Sequence, residues 1–274
     1  MSNLLVNIVS SVFVFALIIY TQSFYNAPLF DYSTYTEIQI IQQKLSPACI
    51  TAWQLWSGIG LTIASTIPII VPLVWNLSNR PRAVYYAVFI AGLDFWMNTL
   101  KTTYHQARPF WDNVQITPYG CSTQFGNPSG HSMMSMGSAL AVYLDYLYCC
   151  ETKKINEDSI FQSAWVKRTL LVLALTFAWT VAYSRIVLGM HSYNQIFFGM
   201  ALGAWFAFSF HYIMYEKLME HARELCLNEI FNMPGERSSS FRKLTLLCFG
   251  IFAALMGVQI ANILIVKPHV TISS

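Results

Sequence analysis

The sequence predicts an all-α, polytopic membrane protein. Of its 274 residues, 55% are hydrophobic and only 11% are charged, and the mean hydropathy is +0.45. Such a chain is too apolar and too poor in charge for a soluble globular domain. Its apolar runs are long and continuous, whereas membrane β-strands alternate over about 10 residues, so the fold is predicted to be a helical bundle.

About seven segments are long enough to cross a bilayer, which takes about 20 mostly apolar residues. They are 4–22, 55–75, 83–103, 130–150, 168–188, 191–215 and 244–266. The first also fits a cleaved signal peptide, but it lacks a basic n-region and a small-residue cleavage site, so we favour a retained span. No internal repeat divides the chain, and residues 1–274 are predicted to form a single membrane-embedded domain.

Two further segments are predicted to be helical outside the spans. In 33–45, the apolar residues Ile38, Ile41 and Leu45 recur at helical intervals. This pattern fits an amphipathic helix on the membrane surface or a solvated helix within a loop. The polar stretch 216–243 mixes five basic with five acidic residues and predicts a helix followed by a turn.

Three short segments carry the residues from which chemistry is predicted. They are 101–109 (KTTYHQARP), 128–131 (PSGH) and 184–195 (SRIVLGMHSYNQ). Together they supply three cations, Lys101, Arg108 and Arg185, and two histidines, His131 and His191. A phosphate ester is a dianion, so cleaving it without a metal needs positive charges on its oxygens, a nucleophile and an acid for the leaving oxygen. The segments are therefore predicted to form one phosphate site.

These segments resemble the signature of the type 2 phosphatidic acid phosphatase superfamily. That signature is Lys, six residues, Arg-Pro; then Pro-Ser-Gly-His; then Ser-Arg, five residues, His. All three parts occur here in order and with the same internal spacing, in a motif region of about 94–203. The resemblance implies a core bundle of six helices with its site at one membrane face, and a phosphoric monoester hydrolase activity.

The same resemblance implies a role for each motif residue. His191 attacks phosphorus to form a phosphohistidine, while His131 protonates the leaving alkoxide and later activates water. Lys101, Arg108 and Arg185 hold the phosphate oxygens. The sequence shows no carboxylate pair, nucleotide loop or zinc-type cluster, so we expect neither a metal nor another cofactor.

Three more residues complete the predicted site. The backbone N–H groups of Ser129 and Gly130 are expected to lie unpaired at a helix N-terminus, where an anion is favoured. The Ser129 hydroxyl fits either a helix cap or a phosphate contact. Gln195 stands where most of the superfamily has aspartate. Its amide oxygen can accept the ring N–H of His191 and orient the ring without adding charge.

Other residues resemble the glucose-6-phosphatase branch of the superfamily. They include Gln195, Gln106, the segment 121–128, and Asp94, which precedes Lys101 by seven residues. Two helical turns separate Asp94 from Lys101, so we expect Asp94 to play a supporting role. A sugar phosphate such as glucose-6-phosphate is the expected substrate. The alternative is a lipid phosphate, either phosphatidic acid or a sphingoid phosphate. A non-catalytic adaptor is disfavoured because no motif histidine or cation is missing.

The basic residues predict the orientation in the membrane. Placed on the seven spans, eleven of the sixteen lysines and arginines fall on the face opposite the motifs. By the positive-inside rule this face is cytoplasmic, so the site opens to the lumen or exterior, and we expect an endoplasmic reticulum membrane. The net charge of +3 is explained by this orientation. The predicted partners are the substrate and membrane lipid, with no nucleic acid.

The six cysteines show no metal-ligand or redox spacing. Cys49 and Cys121 both fall on the predicted oxidising face, where either a disulfide or two free thiols would fit.

Overall fold

The computed structural model describes residues 2–75, 80–120, 122–152, 155 and 159–231, and all regular structure within these ranges is helical. The α-helices are α1 (Ser2–Thr21), α2 (Ala27–Lys44), α3 (Pro47–Trp75), α4 (Arg80–Tyr104), α5 (Pro109–Asp112), α6 (Gly130–Glu151), α7 (Ala164–Val187) and α8 (Tyr193–Phe231). A π-helical turn, Gln22–Asn26, joins α1 to α2, and a 3₁₀ turn, Ile160–Gln162, precedes α7. The all-α prediction is confirmed.

Five segments of the described chain are long and apolar enough to cross a membrane. They are Leu4–Phe24, Pro47–Val74, Arg80–Asp112, Ala164–Val187 and Tyr193–Glu224. The predicted span 130–150 corresponds to α6, a 22-residue helix at the centre of the bundle. The predicted span 244–266 lies outside the described residues, as does the turn predicted within 216–243. The chain is a polytopic membrane helical bundle.

The central helix, α6, packs most closely against α8. A Cβ atom at Gly199 would lie 2.6 Å from the carbonyl oxygen of Ser129, and one at Gly203 would collide with the carbonyl oxygen of Met133. With no side chain at either position, the backbone of α8 lies directly on the first turns of α6. This contact holds the beginnings of the two helices together, next to the second and third motifs.

The helix predicted at 33–45 is confirmed as part of α2, but its surroundings differ from both expected placements. Ile38 is fully buried in a cluster with Ile116 and Ile196. Gln42 donates to the carbonyl oxygen of Thr117 at 2.9 Å and accepts from its N–H at 3.1 Å. The apolar face of α2 therefore packs on protein, and its polar side holds the loop that leads from α5 toward α6.

A polar network joins the helices at the end of the bundle away from the motifs. The Asp145 carboxylate on α6 forms an ion pair with Arg82 on α4, with a distance of 3.1 Å. It also accepts hydrogen bonds from the hydroxyls of Tyr86 and Tyr215. Because each partner lies on α4 or α8, this buried carboxylate ties three helices together.

The close contact at Gly203 leads to a stability prediction. Gly203→Ala places a methyl group against the backbone of α6, so we expect the free energy of unfolding to fall by about 1–3 kcal/mol. Gly58→Ala is the control, because a Cβ there meets nothing within 4 Å. Thermal unfolding in detergent micelles measures both. Equal melting temperatures for the two variants would contradict the packing.

Candidate active site

The first motif places two cations around one glutamine. Helix α4 ends just after Lys101, and His105 takes up a left-handed conformation, with φ of 48°, that turns the chain toward α5. Arg108 Nε then donates to the carbonyl oxygen of Gln124 at 2.7 Å. Lys101 Nζ donates to the side-chain oxygen Oε1 of the same residue at 2.9 Å. Gln124 therefore positions both cations, Lys101 through its side chain and Arg108 through its backbone carbonyl.

The third motif brings Arg185 next to His191 through a tight turn. Arg185 lies in the last turn of α7, and its carbonyl oxygen accepts from the N–H groups of Met190 and His191 at 2.9 and 3.2 Å. Gly189 allows this turn through its positive φ of 67°. The Arg185 side chain donates through Nη1 to Ser57 Oγ on α3, at 2.7 Å. The guanidinium is thus held between α7 and α3.

Both ring nitrogens of His191 have defined partners. Nδ1 lies 3.1 Å from Gln195 Oε1, and Nε2 lies 3.2 Å from Arg108 Nη1. Gln195 Nε2 donates to the carbonyl oxygen of Ala107 at 2.7 Å, which turns the amide oxygen toward the histidine. Nδ1 therefore carries the proton and donates to Gln195. Nε2 carries no proton, and its lone pair accepts a hydrogen bond from Arg108.

His191 lies in the turn before α8, and its side chain is buried. Burial lowers its pKa well below the usual range, and the nearby cations, Arg108 foremost, lower it further. The imidazole is therefore neutral at physiological pH in the free site. A neutral ring with its lone pair on Nε2 is the form that can act as a nucleophile.

The second motif forms the beginning of α6. Ser129 occupies the N-cap position, but its side chain makes no capping bond. Instead its hydroxyl accepts from Ser132 Oγ at 2.9 Å. Its N–H donates to the carbonyl oxygen of Gln195 at 3.0 Å, contrary to the expectation that this group is unpaired. Ser129 thus joins α6 to α8 behind the site. Gly130 and His131 face the other way, into a cavity.

This cavity has a volume of about 630 Å³ and brings the motifs together. Six of the eight predicted site residues line it: Lys101, Arg108, Gly130, His131, Arg185 and His191. The other two, Ser129 and Gln195, lie behind the lining and support it. The structure therefore places three cations and both histidines around one space. Among the described residues, no group of three or more His, Cys, Asp or Glu side chains could hold a metal ion.

Sequence reasoning missed two residues that support the cations. Gln124 lies in the segment 121–128, whose resemblance to the glucose-6-phosphatase branch was visible but gave no role to this side chain. Ser57 lies on α3, outside all three motifs, and its pairing with Arg185 has no signal in the sequence. The choice between a Cys49–Cys121 disulfide and two free thiols stays open, since Cys121 lies outside the described residues; Cys49 is exposed.

Comparison with known proteins agrees with this site. The sequence model of the PAP2 superfamily matches residues 82–219, which is half of the chain and includes all three motifs. The chain belongs to the PAP2 superfamily. Membership supports a membrane phosphatase activity.

A solved structure shows the same fold. It is described as the first transmembrane PAP2 type phosphatidylglycerolphosphate phosphatase from Bacillus subtilis. The match has a TM-score of 0.54 at 16% sequence identity and covers 76% of this chain and 96% of that one. No curated protein sequence matches the chain significantly. The PAP2 membrane fold thus agrees with the helical bundle described above.

The contacts of Gln124 lead to a prediction about the site. Gln124→Ala frees Lys101 Nζ but keeps the backbone carbonyl that holds Arg108. We expect kcat/KM for a phosphate monoester to fall about tenfold, because a hydrogen bond to a charged group is lost. Gln115→Ala is the control, since Gln115 lies on the same connection but pairs with Gln39 outside the cavity. An unchanged kcat/KM for Gln124→Ala would contradict the positioning role.

Proposed function

We propose that this PAP2 chain is a metal-independent membrane phosphomonoesterase that acts through a phosphohistidine on His191. The observation that carries the proposal is the state of the His191 ring. Its Nδ1–H is held by Gln195, and its Nε2 lone pair lies beside Arg108 at the cavity wall. A nucleophile in this state, surrounded by three cations, matches the needs of phosphoryl transfer.

In the first step, His191 Nε2 attacks phosphorus and the bond to the leaving oxygen breaks, while His131 gives that oxygen a proton. In the second step, His131 takes a proton from water, the water oxygen attacks phosphorus, and inorganic phosphate leaves His191. In the structure, Arg108 donates to His191 Nε2. When substrate binds, Arg108 donates to a phosphate oxygen instead, and the Nε2 lone pair is free to attack.

Lys101, Arg108 and Arg185 stabilise the charge on the phosphate oxygens in both steps. By analogy with the loss of an oxyanion-hole donor, removal of each is expected to cost about 10²–10³ in rate. Their positive charges stabilise the phosphate oxygens, as a metal ion does in metal-dependent phosphatases. This is the support for a metal-independent mechanism.

The shape of the cavity favours a lipid phosphate over a sugar phosphate. From the phosphate site it continues between α3 and α4, with walls that include Leu61, Ile69, Ala87 and Ile90. An alkyl chain gains about 0.8 kcal/mol for each CH₂ that it buries against these apolar walls, whereas a sugar has no such chain. We therefore propose a lipid phosphate substrate, although Gln195 and the segment 121–128 resemble the glucose-6-phosphatase branch.

We further propose that the protein lies in the endoplasmic reticulum membrane and that its site faces away from the cytoplasm, toward the lumen or exterior. The support comes from charge, because the basic residues Arg80, Arg82, Lys167 and Arg168 lie at the first turns of α4 and α7, opposite the cavity end of these helices. Basic helix ends are retained on the cytoplasmic side.

The mechanism predicts a trapped intermediate. The protein is mixed with a ³²P-labelled lipid phosphate, and the reaction is stopped rapidly without acid. We expect a phosphoenzyme that is stable in alkali and labile in acid, and that is absent from His191→Ala. Phosphate release by that variant should fall on the order of 10³-fold or more, because the nucleophile is gone. His221→Ala is the control, since His221 is exposed on α8. Loss of activity with EDTA, restored by a divalent cation, would rule the mechanism out.

The orientation predicts which residues an impermeant thiol reagent reaches in sealed microsomes. In a background without native cysteines, Ser46→Cys, at the cavity end of α3, should be labelled only after detergent opens the vesicles. Glu151→Cys, at the far end of α6, should be labelled in intact vesicles. Hydrolysis of an impermeant phosphate ester should likewise be latent. The reverse labelling pattern would overturn the luminal placement.

A further inference from the structure

Asp94 is a carboxylate in the wall of the catalytic cavity that the phosphatase mechanism does not use. It lies on α4, within the membrane-spanning segment Arg80–Asp112, and lines the cavity together with Lys101. Its side-chain partner is the amide of Asn98, at 3.1 Å. Among the described residues, no cationic side chain forms an ion pair with it. A carboxylate in such a place is costly unless it has a partner, and it commonly marks a functional site.

The rest of this part of the cavity is almost entirely apolar. On α3 it is lined by Leu61, Ser65 and Ile69, which recur every four residues and so share one face of the helix. On α4 the lining runs from Lys101 back to Ala87, a distance of about 21 Å at 1.5 Å per residue. A long alkyl chain fits this shape. Asp94 is thus a single negative charge between the phosphate site and an apolar channel.

The distance between Asp94 and the cations limits what it can bind. Seven residues of helix separate Asp94 from Lys101, about 10 Å along the axis. Helical side chains lean toward the N-terminus of their helix, so a phosphate held by Lys101 would lie closer to the carboxylate than this axial distance. Asp94 is therefore too far to touch the phosphate, but it lies beside the first carbons of a leaving group held there.

We propose that Asp94 binds an ammonium group on the leaving alcohol, so that the preferred substrate is the phosphate monoester of a long-chain amino alcohol. This inference rests on the phosphatase function proposed above. The ammonium supplies a cation to Asp94, which is exposed in the cavity wall and forms no ion pair among the described residues. Its alkyl chain occupies the channel between α3 and α4. A diacyl lipid phosphate offers Asp94 no cation.

The test compares two substrates of the same chain length in detergent-purified full-length protein. Sphinganine 1-phosphate carries the ammonium, and octadecyl phosphate lacks it. We expect wild-type kcat/KM to be about tenfold or more higher for the amine. Asp94→Asn should abolish this preference by lowering the value for the amine alone, because the amide keeps the shape but loses the charge. Asp94→Glu should retain part of the preference.

Two controls make the result specific. Asp112→Asn removes a carboxylate outside the cavity and should keep the preference. N-acetylation of the sphinganine amine removes its charge without changing the protein, so wild type should treat N-acetylsphinganine 1-phosphate like octadecyl phosphate. This arm needs no folded variant.

The outcomes separate this inference from the proposed function. Hydrolysis of both lipids by wild type with equal kcat/KM would leave the phosphatase function standing and overturn the ammonium site. An equal loss on both substrates in Asp94→Asn would show a structural role and also overturn it. Phosphate release no greater than that of His191→Ala on either lipid would overturn the phosphatase function, and this inference with it.

Discussion

The mutual repulsion of three buried cations is the constraint on which the site depends. Lys101, Arg108 and Arg185 are all buried at the wall of one cavity. Charges in such a place cost several kcal/mol each unless they are paired. Their hydrogen-bond acceptors in the described chain are all neutral: oxygen atoms of Gln124, Met190 and Ser57, and the Nε2 atom of His191. These acceptors set the positions of the cations without neutralising them, so the site keeps its full charge for a phosphate dianion.

The same constraint explains why a glutamine beside His191 suits this site. Arg108 and the other cations already favour the neutral imidazole, which is the reactive form. A neutral partner that only orients the ring adds to this effect, whereas an aspartate would favour the imidazolium. Gln195 also uses its amide nitrogen, which donates to Ala107. An aspartate has no donor to replace that bond. Gln195 therefore links His191, in the turn before α8, to Ala107, in the loop after α4.

The fold could be predicted from the sequence to a large extent, because apolar length and motif spacing are local signals. Six predicted spans fall on helices, and six of the eight predicted site residues line the cavity. What could not be predicted depends on contacts between distant segments. The burial of Ile38 against protein, the pairing of Ser129 N–H with Gln195, and the support of Arg185 by Ser57 all join residues more than 60 positions apart. No periodicity along the chain reports such contacts.

Asp94 shows how one cavity can hold opposite charges for different purposes. A carboxylate in direct contact with Lys101 or Arg185 would neutralise the cation and compete with phosphate for it. Two helical turns away along α4, Asp94 lines the same cavity without touching these cations. Under the proposal above, its negative charge lies where the leaving group begins. The helix rise of about 1.5 Å per residue sets this separation, so the distance is part of the fold of α4 and not of a mobile loop. A substrate with a phosphate at one end, a cation near it and an alkyl chain beyond would match the three regions of the cavity in order.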